Sequence, residues 1–161
     1  MSQTLSPSRV ALVTGAGTGI GKAAAFALLN AGYSVVFVGR RQDVLDQAIL
    51  ESKAPKERTL ACATDIGKPE EVKALFAKTL KTFGRLDVLF NNAGMGTPAM
   101  PFEDLSFEQW QAVLNVNITG AFLCSQEAFK IMRDQKPQGG RIINNGSISA
   151  HAPRPFSAPY T

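Results

Sequence analysis

The chain of 161 residues suffices for one domain with a hydrophobic core, and 45% of its residues are hydrophobic against 19% charged. Its net charge of +4 arises from basic residues scattered among acidic ones, which argues against a nucleic-acid-binding surface. No apolar run approaches the ~20 residues that span a bilayer, and the N-terminal MSQTLSPSR is polar, so we expect a cytoplasmic protein without a membrane anchor.

Short apolar runs alternate with segments of helical spacing in the first part of the chain. Residues 10–14 form the first predicted strand, and residues 20–31 form a helix that closes at Gly32. The second strand, residues 35–38, contains only β-branched and aromatic side chains, as strands covered on both faces do. Residues 41–52 have the spacing of a second helix.

The alternation continues with a third strand at residues 60–64. Pro69 then opens a helix, at a position where its missing N–H costs least, and Gly84 ends it. The side chains predicted to face inward are Val72, Leu75, Phe76 and Leu80.

A fourth strand is predicted at residues 86–90 and a fifth at residues 141–144. Between them, Ser106 and Gln109 have the spacing of a capping box, which predicts the start of a helix that reaches residue 134.

This alternation predicts an α/β fold: a Rossmann-like, doubly wound parallel sheet in three α/β/α layers, forming one domain over residues 1–161. Such sheets bind ligands in the crevice where the strand order reverses. Cys62 and Cys124 lie in apolar stretches without the spacing of metal ligands. We therefore expect reduced core thiols and no metal site.

A glycine-rich turn, TGAGTGIG from Thr14 to Gly21, joins the first strand to the first helix. A diphosphate needs close backbone approach and N–H groups at a helix N-terminus, and glycines permit both. The G-x-G-x-x-G spacing fails at Ile20, and the glycines stand instead as TGxxxGIG. Alone, the turn is compatible with simple turn chemistry, but its place between strand and helix favours a dinucleotide site. The residues predicted to bind the cofactor here are Gly15, Thr18, Gly19, Ile20 and Gly21.

The residues that follow the second strand indicate which dinucleotide is bound. NAD-preferring sites carry an acidic residue there for the ribose 2′-hydroxyl, but this chain has Arg40 and Arg41. Guanidinium groups can pair with a 2′-phosphate, with Arg40 better placed, while Arg41 is alternatively the solvated start of a helix. We therefore expect NADP(H) as the preferred cofactor, with NAD(H) as the alternative.

These features, with the NNAG that follows the fourth strand, resemble the short-chain dehydrogenase/reductase family along essentially the whole chain. The motifs that carry the resemblance are TGAGTGIG, Asp65, Asn91-Asn92-Ala93-Gly94, Asn117 in LNVNITG, and Ser147 thirteen residues before Tyr160. The resemblance implies hydride transfer between the dinucleotide and a small carbonyl compound or alcohol.

The resemblance also implies roles for the residues of the cofactor site. Asp65 would hydrogen-bond the adenine amino group with Ile66 beside it, although a solvated Asp before a helix is the alternative. Asn92 and Ala93 would line the ribose, Gly94 would also bind the cofactor, and Asn91 with Thr14 would join the central strands. Asn is also a common turn residue.

For the chemistry, the resemblance implies that Ser147 polarises the carbonyl, Tyr160 acts as acid and base, and Asn117 interrupts its helix and holds a water. His151 lies between Ser147 and Tyr160, and we expect it to edge the substrate pocket rather than to react.

In the family, a lysine four residues after the tyrosine assists it, but this sequence ends at Thr161. We therefore expect a fragment that lacks the family's C-terminal strands and helices and has little activity by itself. The intact enzyme would be a homodimer or homotetramer, and the fragment would leave the surface around Phe122, Phe129 and Ile142 bare. A non-catalytic dinucleotide-binding protein of the same fold is the alternative.

One departure from the family lies after the fifth strand, where relatives carry an apolar residue and a serine. This chain has Asn145 and Gly146 instead. If the Asn145 amide is buried, it must find a hydrogen-bond partner, because an unpaired buried amide costs ~1–3 kcal/mol.

Overall fold

The computed structural model describes residues 9–161 and places a five-stranded parallel sheet at the centre of the chain. The strands are β1 (Val10–Thr14), β2 (Ser34–Gly39), β3 (Thr59–Ala63), β4 (Val88–Asn91) and β5 (Arg141–Asn144). Their order in the sheet is β3-β2-β1-β4-β5, and every neighbouring pair is parallel. The order therefore reverses between β1 and β4, which opens a crevice at their C-terminal ends.

Helices cover both faces of the sheet and confirm the predicted Rossmann-like architecture. They are α1 (Gly19–Asn30), α2 (Gln42–Ser52), α3 (Pro69–Phe83), α4 (Phe107–Leu114) and α5 (Ala121–Asp134). The predicted bounds of strands and helices differ from the observed ones by at most two residues, apart from the interruption described below.

The core consists of two hydrophobic clusters, one on each face of the sheet, and β1 contributes to both because alternate side chains point to opposite faces. Val10 and Leu12 pack in the cluster beneath α3 and α5. Ala11 and Val13 pack in the cluster beneath α1 and α2. Cys62 and Cys124 are buried free thiols, as predicted. Burial raises the pKa of Cys124 to about 12, so this thiol stays protonated and unreactive.

The inward face of α3 differs from the prediction at one position. Leu80 is 39% exposed, whereas Thr79 is fully buried. The hydroxyl of Thr79 donates to the Leu75 carbonyl at 2.9 Å, which satisfies the polar group within its own helix. Thr79 and Leu80 both follow the core side chains of the preceding turn by three or four residues. Helical spacing alone therefore does not predict which of the two faces the core.

The helix predicted from Ser106 to residue 134 is interrupted by a π-helical segment, Asn115–Gly120, that separates α4 from α5. The capping box at its start is present: Ser106 Oγ accepts from the Gln109 N–H, and the Gln109 side chain accepts from the Ser106 N–H. Asn117 lies in the π-helical segment, and the interruption expected at this residue is confirmed.

Strand β5 is the last strand of the sheet within residues 9–161, and its surroundings correct two expectations. Phe122 and Phe129 are about 60% exposed, as expected, but Ile142 packs against the core and Ile143 is exposed in its place. Asn145 is exposed rather than buried, because none of the strands within residues 9–161 covers this edge.

The described residues also bear on membrane and metal binding. Within residues 9–161, none of the helices combines the length and apolar character required to cross a membrane. No three His, Cys, Asp or Glu side chains of that range converge in a way that could hold a metal ion.

Candidate dinucleotide-binding cleft

A cleft of about 950 Å³ opens at the C-terminal edge of the sheet, where the strand order reverses. The glycine turn lines one part of it through Gly15, Thr18, Gly19, Ile20 and Gly21. The residues after β2 and β3 line a second part through Arg40, Arg41, Asp65 and Ile66. The segment after β4 and the end of the chain contribute Asn92, Ala93, Gly94 and Tyr160. All twelve residues predicted to bind the cofactor therefore line one cleft, together with Tyr160.

The glycine turn has a shape that only glycines allow. Gly15 and Gly19 adopt left-handed backbone conformations, with φ of 68° and 52°. A Cβ at Gly21 would overlap the carbonyl oxygen of Gly15, so the first turn of α1 approaches β1 as closely as backbone can. A Cβ at Gly17 would lie 2.8 Å from Val44 Cγ1, so this glycine admits α2 beside the turn.

The N-terminus of α1 is open toward the cleft. Thr18 is the N-cap residue, but its side chain makes no capping hydrogen bond to the described backbone, and the first turn of α1 has no acidic residue. The unpaired N–H groups and the positive end of the helix dipole are suited to an anion. The turn and the helix end therefore fit the diphosphate of a dinucleotide.

A hydrogen-bonded network joins β1 to the segment after β4. Thr14 Oγ1 accepts from the N–H groups of Asn92 and Ala93, at 2.9 Å and 3.0 Å. Asn92 Nδ2 donates to the Thr14 carbonyl at 3.0 Å, and Asn92 Oδ1 accepts from Asn145 Nδ2 at 3.0 Å. The amide of Asn92 is thus engaged at both ends, and the exposed amide of Asn145 is one of its two partners.

The role expected for Asn91 is wrong. Its Nδ2 donates to Ser125 Oγ and to Asn144 Oδ1, both at 2.9 Å, so Asn91 joins β4 to α5 and β5. The tie to Thr14 belongs to Asn92 instead. Adjacent residues at the end of a strand point in opposite directions, and a shift of one position exchanges their partners.

Asp65 and Ile66 form one wall of the cleft between β3 and α3. Asp65 Oδ1 accepts from the Gly67 N–H at 3.0 Å, and the Asp65 N–H donates to Glu71 Oε2 at 2.7 Å. Ile66 is buried against Gly120 in the π-helical segment, where a Cβ would lie 2.6 Å from Ile66 Cδ1. The absence of a side chain at Gly120 therefore makes room for this wall.

Arg40 and Arg41 lie at the end of β2, and both are exposed and line the cleft. Arg41 is also the N-cap residue of α2. Among residues 9–161, no carboxylate forms an ion pair with either guanidinium group. Both groups are therefore available to a ligand.

The structure brings only one of the three predicted catalytic residues to the wall of the cleft. Tyr160 lies there half-buried beside Gly96, where an added Cβ would lie 3.9 Å from Tyr160 Cδ2. Ser147 caps the short 3₁₀ turn Ile148–Ala150, with its Oγ accepting from the Ser149 N–H at 3.1 Å, and it is not among the lining residues.

Asn117 and His151 are also outside the wall of the cleft. Asn117 binds the backbone of Met95, which does line the cleft, so it acts on the site through that residue. His151 is exposed and does not line the cleft.

Sequence reasoning missed one charged residue of the cleft, Arg154. Its guanidinium carbon lies 5.2 Å from the centroid of the Tyr160 ring. The available signal was a basic residue enclosed by Pro153 and Pro155 in the loop before the tyrosine. Such a loop position has no periodicity that would identify its neighbours.

A family model described as short chain dehydrogenase matches residues 9–161. The chain belongs to the short-chain dehydrogenase family. Among its relatives is a 3-oxoacyl-[acyl-carrier-protein] reductase of Synechocystis sp., which is 38% identical over 98% of this chain and 63% of the relative. A 3beta-hydroxysteroid dehydrogenase of Mediterraneibacter gnavus is 35% identical over 94% of this chain and 54% of the relative.

Solved structures of other short-chain dehydrogenases resemble the fold closely. The 3-ketoacyl-(acyl-carrier-protein) reductase of Brucella melitensis, complexed with NADH, superposes with a TM-score of 0.88 at 33% identity. The superposition covers 94% of this chain and 62% of that structure. This chain thus spans less than two thirds of the length of these relatives.

Proposed function

We propose that the protein is an oxidoreductase that interconverts a small carbonyl compound and its alcohol with NADP(H), NAD(H) being the alternative cofactor. The observation that carries the proposal is that a glycine turn, Tyr160 and two arginines without an ion-pair partner among residues 9–161 line one cleft of about 950 Å³. Family membership supports it, because the relatives are named reductases and dehydrogenases. The bound dinucleotide would supply the hydride.

Charged groups of the cleft would position the dinucleotide. The open N-terminus of α1 favours a diphosphate at the glycine turn. The guanidinium group of Arg40 would pair with a 2′-phosphate, since no carboxylate of residues 9–161 competes for it. Asp65 and Ile66 would flank the adenine, and Ala93 and Gly94 the ribose.

Tyr160 and Ser147 would act on the carbonyl group of the substrate. The phenol of Tyr160 would give its proton to the carbonyl oxygen during reduction and accept it during oxidation. The hydroxyl of Ser147 accepts from the Ser149 N–H, which leaves its own hydrogen free to donate to the carbonyl oxygen. Asn117 would hold the segment after β4 in position beneath the substrate.

We also propose that copies of this protein associate through α5, as a homodimer or homotetramer. Ile118, Phe122 and Phe129 are each about 60% exposed and, at helical spacing, lie on one side of the π-helical segment and α5. Size-exclusion chromatography with light scattering tests this with Phe122→Glu and Phe129→Glu, which should yield monomers. A cytoplasmic location stays a prediction.

The full-length protein with Tyr160→Phe and Ser147→Ala tests the catalytic proposal. Each variant should bind NADPH as the wild type does but lose turnover of a carbonyl substrate panel. The expected losses are about 10²–10⁴-fold for Tyr160→Phe and about 10²-fold for Ser147→Ala. Full turnover in Tyr160→Phe would exclude the role of the phenol. Tight NADPH binding with no turnover in the wild type would favour the non-catalytic alternative.

A further inference from the structure

Arg154 occupies the junction of two cavities beside Tyr160. It lines the main cleft and also a neighbouring groove of about 460 Å³. Its guanidinium carbon stacks over the Tyr160 ring at 5.2 Å from the centroid, a distance typical of a cation–π contact. A cation is therefore held next to the residue that the proposed function assigns to proton transfer.

The segment that carries Arg154 is fixed by hydrogen bonds. Ser157 Oγ donates to the Arg154 carbonyl at 2.8 Å, and the Tyr160 N–H donates to the Ser157 carbonyl at 3.0 Å. The Met100 N–H donates to the Phe156 carbonyl at 3.1 Å, which joins this segment to the loop after β4. Phe156 adopts φ of 59°, a costly conformation for an aromatic residue that persists where the surroundings impose it.

The charge of Arg154 has no anionic partner in the described part of the chain. No carboxylate of residues 9–161 forms an ion pair with it. Glu103 lines the groove but lies beyond ion-pair distance from Arg154. The other cations of the main cleft, Arg40 and Arg41, belong to the part that the cofactor would occupy.

The groove itself is mainly apolar. Its walls include Met100, Pro101, Phe102 and Phe156, with Arg154 at the boundary to the main cleft. An apolar groove with one charged residue at its junction fits a molecule with an apolar body and a single anionic group. A planar guanidinium group matches a carboxylate in two parallel hydrogen bonds. A phosphate dianion fits less well, because the groove offers one cation and also contains Glu103.

We propose that Arg154 binds a substrate carboxylate, so that the substrates are oxo acids or hydroxy acids with an apolar chain. This inference rests on the proposed function, because the stacking contact places the carboxylate near the carbonyl that Tyr160 would serve. The apolar chain would lie in the groove between Phe102 and Phe156. Arg154 is thus a specificity-determining residue.

Unreactive ligands test the site without requiring turnover. Calorimetric titrations of the full-length protein with hexanoate and hexanamide compare two molecules with the same apolar body. We expect hexanoate to bind about tenfold more tightly at low ionic strength. Added salt should reduce the difference, because the site is exposed to solvent. Arg154→Met should abolish the preference and leave the affinity for hexanamide unchanged, and Arg154→Lys should retain part of it.

Arg141→Met serves as the matched control, since Arg141 lies on β5 and lines neither cavity. It removes the same charge and should keep the full hexanoate preference. Circular dichroism and thermal unfolding of Arg154→Met check whether the fold persists. Equal affinities for hexanoate and hexanamide in the wild type, absence of hexanoate binding at millimolar concentrations, or a preference that survives in Arg154→Met would overturn the proposal. Tighter binding of hexyl phosphate than of hexanoate would also overturn it.

A parallel NADPH titration separates the two proposals. If NADPH binds and the hexanoate preference is absent, only the carboxylate site fails. If NADPH does not bind but the Arg154-dependent preference is present, the proposed function fails and the anion site stands.

Discussion

The side-chain amide of Asn117 holds the backbone of Met95 from both sides. Its Oδ1 accepts from the Met95 N–H at 2.9 Å, and its Nδ2 donates to the Met95 carbonyl at 2.9 Å. An amide can make this pair of bonds, whereas a carboxylate cannot donate. The π-helical segment thus fixes the segment after β4, which lines the cleft.

We therefore expect Asn117→Asp to destabilise the protein by about 1–3 kcal/mol, because the Met95 carbonyl would then face a carboxylate. Urea unfolding measures the change, and hydrogen exchange at the Met95 amide should become faster. Asn115→Asp is the matched control, because Asn115 is exposed in the same segment and, within residues 9–161, its side chain bonds only that of Gln111. Equal losses in the two variants would contradict the role of the Met95 contact.

Because Gly21 lies close against Gly15, we expect one methyl group added at Gly21 to destabilise the protein. Gly21→Ala should cost about 1–3 kcal/mol of stability, because the new Cβ would overlap the Gly15 carbonyl oxygen and push α1 away from β1. The displaced glycine turn should also no longer bind a dinucleotide. Gly146→Ala is the control for stability, since a Cβ there has open space around it. A Gly21→Ala protein with wild-type stability and NADPH affinity would disprove the proposed packing.

Cofactor preference is expected to depend on Arg40. Arg40→Asp should weaken NADPH binding about 10–100-fold, because a charge-assisted contact is replaced by repulsion. NADH binding should change by less than about threefold, because NADH has no 2′-phosphate. Isothermal titration of both nucleotides gives the comparison. Arg41→Asp indicates whether Arg41 shares the role or is a solvated helix start, and equal effects of Arg40→Asp on the two nucleotides would count against the assignment.

The ion pair between Arg85 and Asp87, at the N-terminal ends of β1 and β4, predicts how the stability of the protein depends on pH. Burial by itself raises the pKa of Asp87, but hydrogen bonds from the Arg85 side chain and the Val10 N–H, with the nearby arginine charges, lower it overall. The contribution of Asp87 to stability is therefore complete above the pKa of an unfolded aspartate, about 3.9. It is lost as the pH falls through the lower pKa of the folded state.

Asp87→Asn should destabilise the protein by about 2–4 kcal/mol near neutral pH, since Arg85 would lose its partner in a site where both side chains are little exposed. The difference from the wild type should shrink in urea titrations below about pH 4. Glu70→Gln, which removes an exposed ion pair to Lys73, should change neither stability nor its pH dependence. A difference that is constant with pH would refute the proposed ionisation.

Much of the fold could be predicted because local signals were strong and independent. Pro69 and Gly84 bound α3, the capping box of Ser106 starts α4, and the glycine turn joins β1 to α1. Each of these signals reflects a requirement of the backbone itself. They do not depend on what packs around them.

The remaining features depend on tertiary structure. The contact with Thr14 was expected for Asn91 but is made by Asn92. Which of these two neighbours faces β1 depends on the face to which each side chain points at the strand end, and a shift of one residue reverses it. Asn145 is exposed because β5 is the last strand of the described sheet, which composition does not reveal. Arg154 reaches Tyr160 through an irregular turn, so its contact appears only in three dimensions.

We propose above all that the cleft beside the glycine turn binds a nicotinamide dinucleotide. Calorimetric titration of the full-length protein with NADPH and with NADH tests it most directly. We expect one saturable site per chain, with NADPH bound more tightly than NADH. Absence of binding for both nucleotides, in a protein shown to be folded, would contradict it.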